Sequence, residues 1–274
     1  VGRIKGIDRP CLCPCMPNIK GSMTIIADSG ANADCKPRNL SEFAMMANIY
    51  LKKVLNVESP RIGLANIGSE EGKGNELVKA AYEELKSMDL NFVGNIEGRD
   101  VIESKADVIV CDGFTGNIML KTCEGVALGM MKLMKETLMS STKGKLGALL
   151  IKDDLRKLKA FLDYSEYGGA PFLGVKGGVI KAHGSSNGFA IKNAINQAIK
   201  FANGNVVEDI EQVLKELSEK EEIINNLTSK NTELTKEIET LKNELENSPE
   251  LIFESPKSDY YAVKLNKNEK LYLG

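Results

Sequence analysis

The sequence holds one histidine in 274 residues, and neither charge is in excess. No apolar run approaches the roughly 20 residues that a membrane span requires. With 36 basic against 38 acidic residues the net charge is −2, so the basic excess of a general nucleic-acid binder is lacking and no nucleic-acid partner is expected. The start, Val1-Gly-Arg-Ile-Lys5, leads into no long apolar stretch of the secretory kind. A first residue of valine reads as an excised or processed piece. Nucleotide signatures are lacking as well. No Gly-x-Gly-x-x-Gly follows a strand pattern, and Gly72-Lys-Gly-Asn75 has neither the glycine spacing nor the Lys-Ser/Thr pair of a Walker A loop. Six cysteines occur, three of them in Cys11-Leu-Cys13-Pro-Cys15. That alternation is not zinc spacing, and no second Cys/His pair completes four ligands. The expectation is no metal, no cofactor and reduced thiols in a cytoplasmic protein.

What is present is an alternation. Short apolar runs at Met23–Ala27, Arg61–Asn66, Phe92–Val93, Asp107–Cys111 and Val179–Ala182 read as strands. Helical patterns cover Leu40–Leu55, Glu76–Ser87, Asn117–Met139, Asp153–Leu162 and Ser186–Phe201. Strands alternating with helices predict an α/β fold with a mostly parallel sheet flanked by helices. Four polar turns follow apolar runs: Asp28-Ser-Gly-Ala-Asn32, Gly68-Ser-Glu-Glu-Gly-Lys-Gly-Asn75, Asp112-Gly-Phe-Thr-Gly-Asn117 and His183-Gly-Ser-Ser-Asn187. A parallel sheet gathers its ligand site at the carboxyl ends of its strands, which is where these turns fall.

Composition shifts near Asn203-Gly-Asn205, which predicts an α/β domain over 1–203, a coiled coil over 204–247 and a tail over 248–274. Ile210, Leu217, Ile224, Asn231, Ile238 and Leu245 stand seven apart, and Val213, Lys220, Leu227, Leu234 and Leu241 follow each by three. This is a heptad seam with one polar a position, the pattern of a parallel two-stranded coiled coil. Asn247-Ser-Pro249 ends it, because proline cannot continue a helix. Tyr260–Leu265 reads as a further strand.

Each candidate site residue has a plainer reading. Asp112 ends a strand and suits a ligand role, with Asn117 as the expected helix cap. Lys73 and Asn75 offer a phosphate cradle or an exposed turn, with Glu70 and Glu71 opposing an anion unless they point away. His183 suits general acid–base work near neutral pH. Ser185 and Ser186 are nucleophiles only beside a base, and capping is their simpler role. Arg99, in Gly94-Asn-Ile-Glu-Gly-Arg-Asp100, is a fork for phosphate or half of an ion pair. Leu146, Leu149 and Leu150 beside Lys143, Lys145 and Lys152 suit a helix tip at an anionic membrane surface. The residues alone favour packing between two helices for these leucines, and for Met130, Met131, Met134 and Met139.

Several long phrases occur in an unbroken order over residues 3–202: Asp28 to Pro37, Asn66 to Glu76, Gly94 to Asp100, Asp112 to Asn117, Asp163 to Pro171 and His183 to Ser186. Together they resemble the bacterial phosphate acyltransferases of phospholipid synthesis. The resemblance implies transfer of a fatty acyl group from acyl carrier protein to inorganic phosphate, giving an acyl phosphate. It implies a fold similar to phosphate acetyltransferases and isopropylmalate dehydrogenases, and a homodimer formed largely by helices. It also implies a helical pair over Asn117–Leu162 whose tip meets the membrane, so that the protein sits peripherally at its inner face. In that setting Lys73, Asn75 and backbone N–H groups would hold phosphate, and Asn95 or Asn117 would stabilise the oxyanion. His183 would protonate the thiolate or orient phosphate, with Asn32, Arg99, Asp112, Ser185 and Ser186 completing the substrate-binding set. About a hundred residues of the family's amino-terminal half lie outside this sequence on typical domain proportions, and the coiled coil has no counterpart. A phosphate acetyltransferase of similar fold and an inactive dimeric scaffold are the competing readings.

Overall fold

Apolar runs of three to five residues cannot bury themselves alone; they do so by pairing side by side beneath helices. The computed structural model describes residues 1–162, 168–246, 250–252, 261–266 and 269–273. Its elements are β1 (Cys11–Leu12), β2 (Cys15–Pro17), β3 (Met23–Ala27), α1 (Pro37–Val54), β4 (Ile62–Ala65), α2 (Glu76–Ser87), β5 (Phe92–Ile96), α3 (Asp100–Glu103) and β6 (Val108–Val110). There follow α4 (Gly113–Met139), α5 (Thr142–Leu150), α6 (Lys152–Leu162), β7 (Ala170–Leu173), β8 (Val179–Lys181), α7 (Gly188–Asn203), α8 (Val206–Glu246), β9 (Glu250–Ile252), β10 (Tyr261–Asn266) and β11 (Glu269–Leu273). The chain divides into two units, Val1–Leu214 and Lys215–Gly274.

In the first unit the main sheet runs β2-β3-β6-β4-β5, with β3, β6, β4 and β5 parallel and β2 antiparallel at one edge. Helices α1, α2 and α3 make the crossovers, so the fold is mixed α/β with a parallel-rich sheet flanked by helices. A second, antiparallel sheet joins β1, β7 and β8, pairing Cys11 with Leu173. In the second unit β9, β10 and β11 form an antiparallel sheet; β10 falls one residue from the strand expected at Tyr260–Leu265.

Helix α1 carries the core. Pro37 opens it where a missing N–H is harmless, and Asn39 Oδ1 accepts from the Lys36 N–H at 2.8 Å. Phe43, Met46 and Tyr50 are fully buried against β3, β6 and β7; each such side chain contributes roughly 1.5–3 kcal/mol. The Tyr50 hydroxyl accepts from Gln197 Nε2 at 3.0 Å, tying α1 to α7.

The strand and helix expected at Met23–Ala27 and Glu76–Ser87 are those observed, and the others shift at their ends. Sequence reasoning missed β1, β2 and β7, which have two to four residues and contain or adjoin proline. It also missed α5, which Ser141 caps by accepting from the Gly144 N–H at 3.0 Å. The expectation that the leucines of this segment pack between helices is corrected: Leu146, Leu149 and Leu150 are 61%, 66% and 78% exposed. Among the α4 methionines, Met130 and Met139 are exposed, while Met131 and Met134 are half-buried. Part of the phrase Asp163–Pro171, residues 163–167, lies outside the described residues.

One polar clamp aligns β4 with β6 at their amino ends. Asp107 accepts from the Arg61 backbone N–H at 2.8 Å, from Nε at 3.0 Å and from Nη2 at 2.7 Å. Burial opposes ionisation of Asp107, but the Arg61 hydrogen bonds and charge outweigh it, so its carboxyl titrates below the usual range. Such a group stabilises the fold above the unfolded pKa of about 3.9, and that contribution is lost as pH falls through the folded value. The guanidinium side chain is 35% exposed, so solvent screens part of the attraction. We expect Asp107→Asn to lower stability by about 1–2 kcal/mol at pH 7, and by clearly less at pH 2.5. Urea unfolding midpoints at both values check this; an equal loss at both would show that the charge is not the cause.

Candidate active site

Because β3, β6, β4 and β5 are parallel, the turns that follow them leave the sheet at one rim. The first two turns, after neighbouring strands β3 and β6, are knitted together by Asp28. This side chain is fully buried. Its carboxylate accepts from the backbone N–H of Leu12 (2.8 Å), Ala31 (3.1 Å) and Asn32 (2.6 Å), and from Asn32 Nδ2 (3.0 Å). Burial pushes the Asp28 carboxyl above its usual range, with these donors pulling against it. Asn32 also donates to the Pro10 carbonyl at 2.8 Å. Its amide nitrogen is thus engaged by the Asp28 carboxylate and the Pro10 carbonyl.

The turn after β6 packs just as closely. A methyl group on Gly116 would overlap the Asp28 carbonyl, and one on Gly113 would stand 2.6 Å from the Asn32 carbonyl oxygen. Glycine at both positions lets the first turn of α4 lie directly on the Asp28 loop. Asp112, not Asn117, caps that helix. Its Oδ1 accepts from the Thr115 N–H at 2.7 Å and its Oδ2 from Thr115 Oγ1 at 2.9 Å. The expected cap is thus corrected: Asp112 caps the helix, and Asn117 stands exposed one turn on.

Asn117 lines a cavity of about 150 Å³ whose wall includes Leu12, Pro14, Cys15 and Ala170. Ser29, Lys121, Lys181 and His183 line the same cavity. An apolar wall with a few converging polar groups is the usual form of a small-molecule site. Ser29 was missed by sequence reasoning, although it lies within a turn singled out there. It is 3% exposed, and its Oγ has no hydrogen-bond partner among the described residues. Lys121 pairs with Glu124 at 2.7 Å. His183 Nδ1 lies 2.7 Å from Ser185 Oγ and accepts from the Ser185 N–H at 3.2 Å. That bond leaves the proton of a neutral ring on Nε2. Ser185 therefore orients the histidine. Neither Ser185 nor Ser186 caps α7; Asn187 does, accepting from the Ala190 N–H at 2.9 Å.

The remaining candidates form a second group after β4 and β5, none of them lining this cavity. Asn75 caps α2 by accepting from the Val78 N–H at 2.9 Å. Asn66 Nδ2 holds the Lys73 carbonyl at 3.0 Å, and Asn95 Nδ2 holds the Glu70 carbonyl at 2.8 Å. Glu71 turns toward α2, bonded to Tyr82 at 2.9 Å and Lys86 at 3.2 Å, and these partners hold its carboxyl below the usual range. Arg99 stands 3.2 Å from Glu97 and 4.0 Å from Asp100, the ion-pair arrangement.

Burial opposes ionisation of several thiols in the first unit, of which Cys15 lines the cavity. Burial raises Cys11 and Cys111 well above the ordinary thiol range, and pushes Cys15 to about 12 and Cys35 to about 11. A thiol is a poor nucleophile and a poor metal ligand until it ionises. Among the described residues no three His, Cys, Asp or Glu side chains cluster as a metal site.

The family model described as "Fatty acid synthesis protein" matches residues 1–209, the part that contains both rim groups. The chain belongs to this family. Within the fatty acid synthesis protein family, it is 69% identical over 219 residues to a phosphate acyltransferase of Clostridioides difficile, and 54% identical over 221 residues to one of Alkaliphilus oremlandii. These matches cover 80% and 81% of this chain but 64% and 66% of those relatives, so the chain spans just under two thirds of their length. Among solved structures it is similar to a phosphotransacetylase from Streptococcus pyogenes, with a TM-score of 0.44 and 18% identity over 73% of this chain and 56% of that one.

Removing the Asp28 carboxylate would leave the buried backbone N–H groups of Leu12 and Asn32, and the part-buried one of Ala31, without this acceptor. We expect Asp28→Ala to lower stability by roughly 3 kcal/mol or more, read from urea unfolding followed by circular dichroism. A loss below about 1 kcal/mol would show that water or a local shift replaces the carboxylate.

Proposed function

We propose that this chain carries the catalytic rim of an enzyme that moves a fatty acyl group from acyl carrier protein to inorganic phosphate, giving an acyl phosphate for phospholipid synthesis. The observation that carries the reading is the cavity where Ser29, Asn117, Lys181 and His183 converge beside an apolar wall. Membership of the fatty acid synthesis protein family and the names of its relatives supply the reaction class. Phosphate is the nucleophile, so no covalent serine or cysteine is required, which accords with thiols that burial holds against ionisation. One phosphate oxygen forms a bond to the thioester carbonyl carbon, and the carbon–sulfur bond breaks. The departing thiolate accepts a hydrogen bond from His183 Nε2–H and takes up the proton that hydrogen phosphate loses as its oxygen is acylated. The Asn117 amide donates to the carbonyl oxygen as it gains charge. Lys181 offsets the charge of phosphate, and the apolar wall accepts the first carbons of the acyl chain.

This assignment moves the phosphate from Lys73 and Asn75, where sequence reasoning had placed it, to the cavity. Lys73, Asn95 and Arg99 then serve the same rim farther out, toward the acidic surface or the phosphopantetheine arm of acyl carrier protein. We extend the proposal to an isopropylmalate dehydrogenase-like arrangement of the whole enzyme, to a homodimer paired through the exposed helices, and to a cytoplasmic location. The exposed leucines of α5, with Lys143, Lys145 and Lys152 about them, support peripheral contact with anionic lipid. Among the described residues no helix is long and apolar enough to cross a membrane.

The test is purified chain with an acyl carrier protein thioester, with and without phosphate, followed by release of free carrier thiol. Phosphate-dependent release is expected, and His183→Ala should slow it at least tenfold, or about 1.4 kcal/mol in the barrier. Release that ignores phosphate would overturn the reaction. An unimpaired His183→Ala chain would remove the histidine from it. A folded chain without turnover would favour the scaffold reading.

A further inference from the structure

We propose that the part of α8 from Leu217 to Leu245 pairs with the same segment of a second copy of this chain, as a parallel, in-register two-stranded coiled coil. The structure makes Val206–Glu246 one uninterrupted helix of 41 residues. Its start is accounted for, since Val206 and Ile210 are buried. Beyond Leu217 the heptad seam is bare: Ile224 is 60% exposed, Leu227 62%, Ile238 53% and Leu241 55%. A helix in a protein draws most of its stability from packing an apolar face, so a stripe of this length calls for a partner helix.

The chemistry of the seam selects a second copy and a register. Parallel in-register pairing sets each a position against its own equivalent. The Asn231 amide then meets the Asn231 amide of the second copy, donor to acceptor, which any slip of one heptad would replace with Ile224 or Ile238. At the flanks Glu237, a g position, faces Lys242 at the following e position of the second copy. Toward the start of the segment Glu216 (g) opposes Glu221 (e), with the two Lys220 side chains at d between them, so the charges there offset one another in part and the register rests on Asn231. The threonines at e positions are ready for burial, because Thr228 and Thr235 already donate to the Ile224 and Asn231 carbonyls at 2.8 Å each. They turn no unmet hydroxyl toward the seam. The family match ends at residue 209, so this pairing and the acyl-transfer reading stand or fall separately.

The test uses the full chain with single substitutions Asn231→Cys (a), Leu234→Cys (d) and Glu233→Cys (c), oxidised in a glutathione redox buffer. Mass spectrometry reads the peptides linked between equivalent positions, so native cysteines do not count. The 231–231 and 234–234 links should form at least tenfold faster than the 233–233 link. Equal rates at the three positions, or no 231–231 and 234–234 links in chains whose helix content is intact by circular dichroism, would overturn the proposal. The second result would point instead to an antiparallel or unrelated partner.

Discussion

A buried carboxylate with four donors around it is the constraint from which the site follows. Asp28 joins three stretches that are far apart in sequence: the strand at Leu12, its own turn through Asn32, and the first turn of α4 through the glycines that let that helix lie upon it. A carboxylate in such a place is unfavourable without partners and rigid with them. The two sheets of the first unit are thereby locked where the cavity lies, with β1 contributing Leu12 to the wall.

Much of the architecture was legible in the pattern of residues, and the failures have physical causes. Helix α2 could be read end to end because Asn75 caps it and its apolar positions recur at helical spacing. Strand β3 stood out as five residues with three β-branched side chains. By contrast β1, β2 and β7 are too short to show a period, and Pro14, Pro17 and Pro171 mask them as turns. The cap of α4 was read at Asn117 instead of Asp112 because both are good caps. What decides between them is how deeply the glycines at 113 and 116 sink into the Asp28 loop, which is a matter of tertiary contact. The partners of Asp28 were equally hidden, since one of its donors lies sixteen residues upstream.

The site was half legible. Asn117, in the turn after parallel strand β6, and His183, after antiparallel strand β8, line one cavity. Sheet order then separates what sequence order had grouped. Strands β4 and β5 lie beyond β6, so the Lys73 and Asn95 turns form their own cluster, held by carbonyl contacts from Asn66 and Asn95. Ser29 escaped notice because a small hydroxyl in a glycine-rich turn looks like any other. Its buried, unpartnered oxygen shows itself only once the fold surrounds it.

Helix α4 has 27 residues, which makes it about 40 Å long. Its fully buried residues, Gly113 and Gly116, both lie in the opening turn. Mechanically it is a cantilever clamped at its root, with Asn117 seated beside the clamp. The close glycine contacts fix that root on the Asp28 loop, and the rest of its length rises from the end that lines the cavity through Asn117, Leu120 and Lys121.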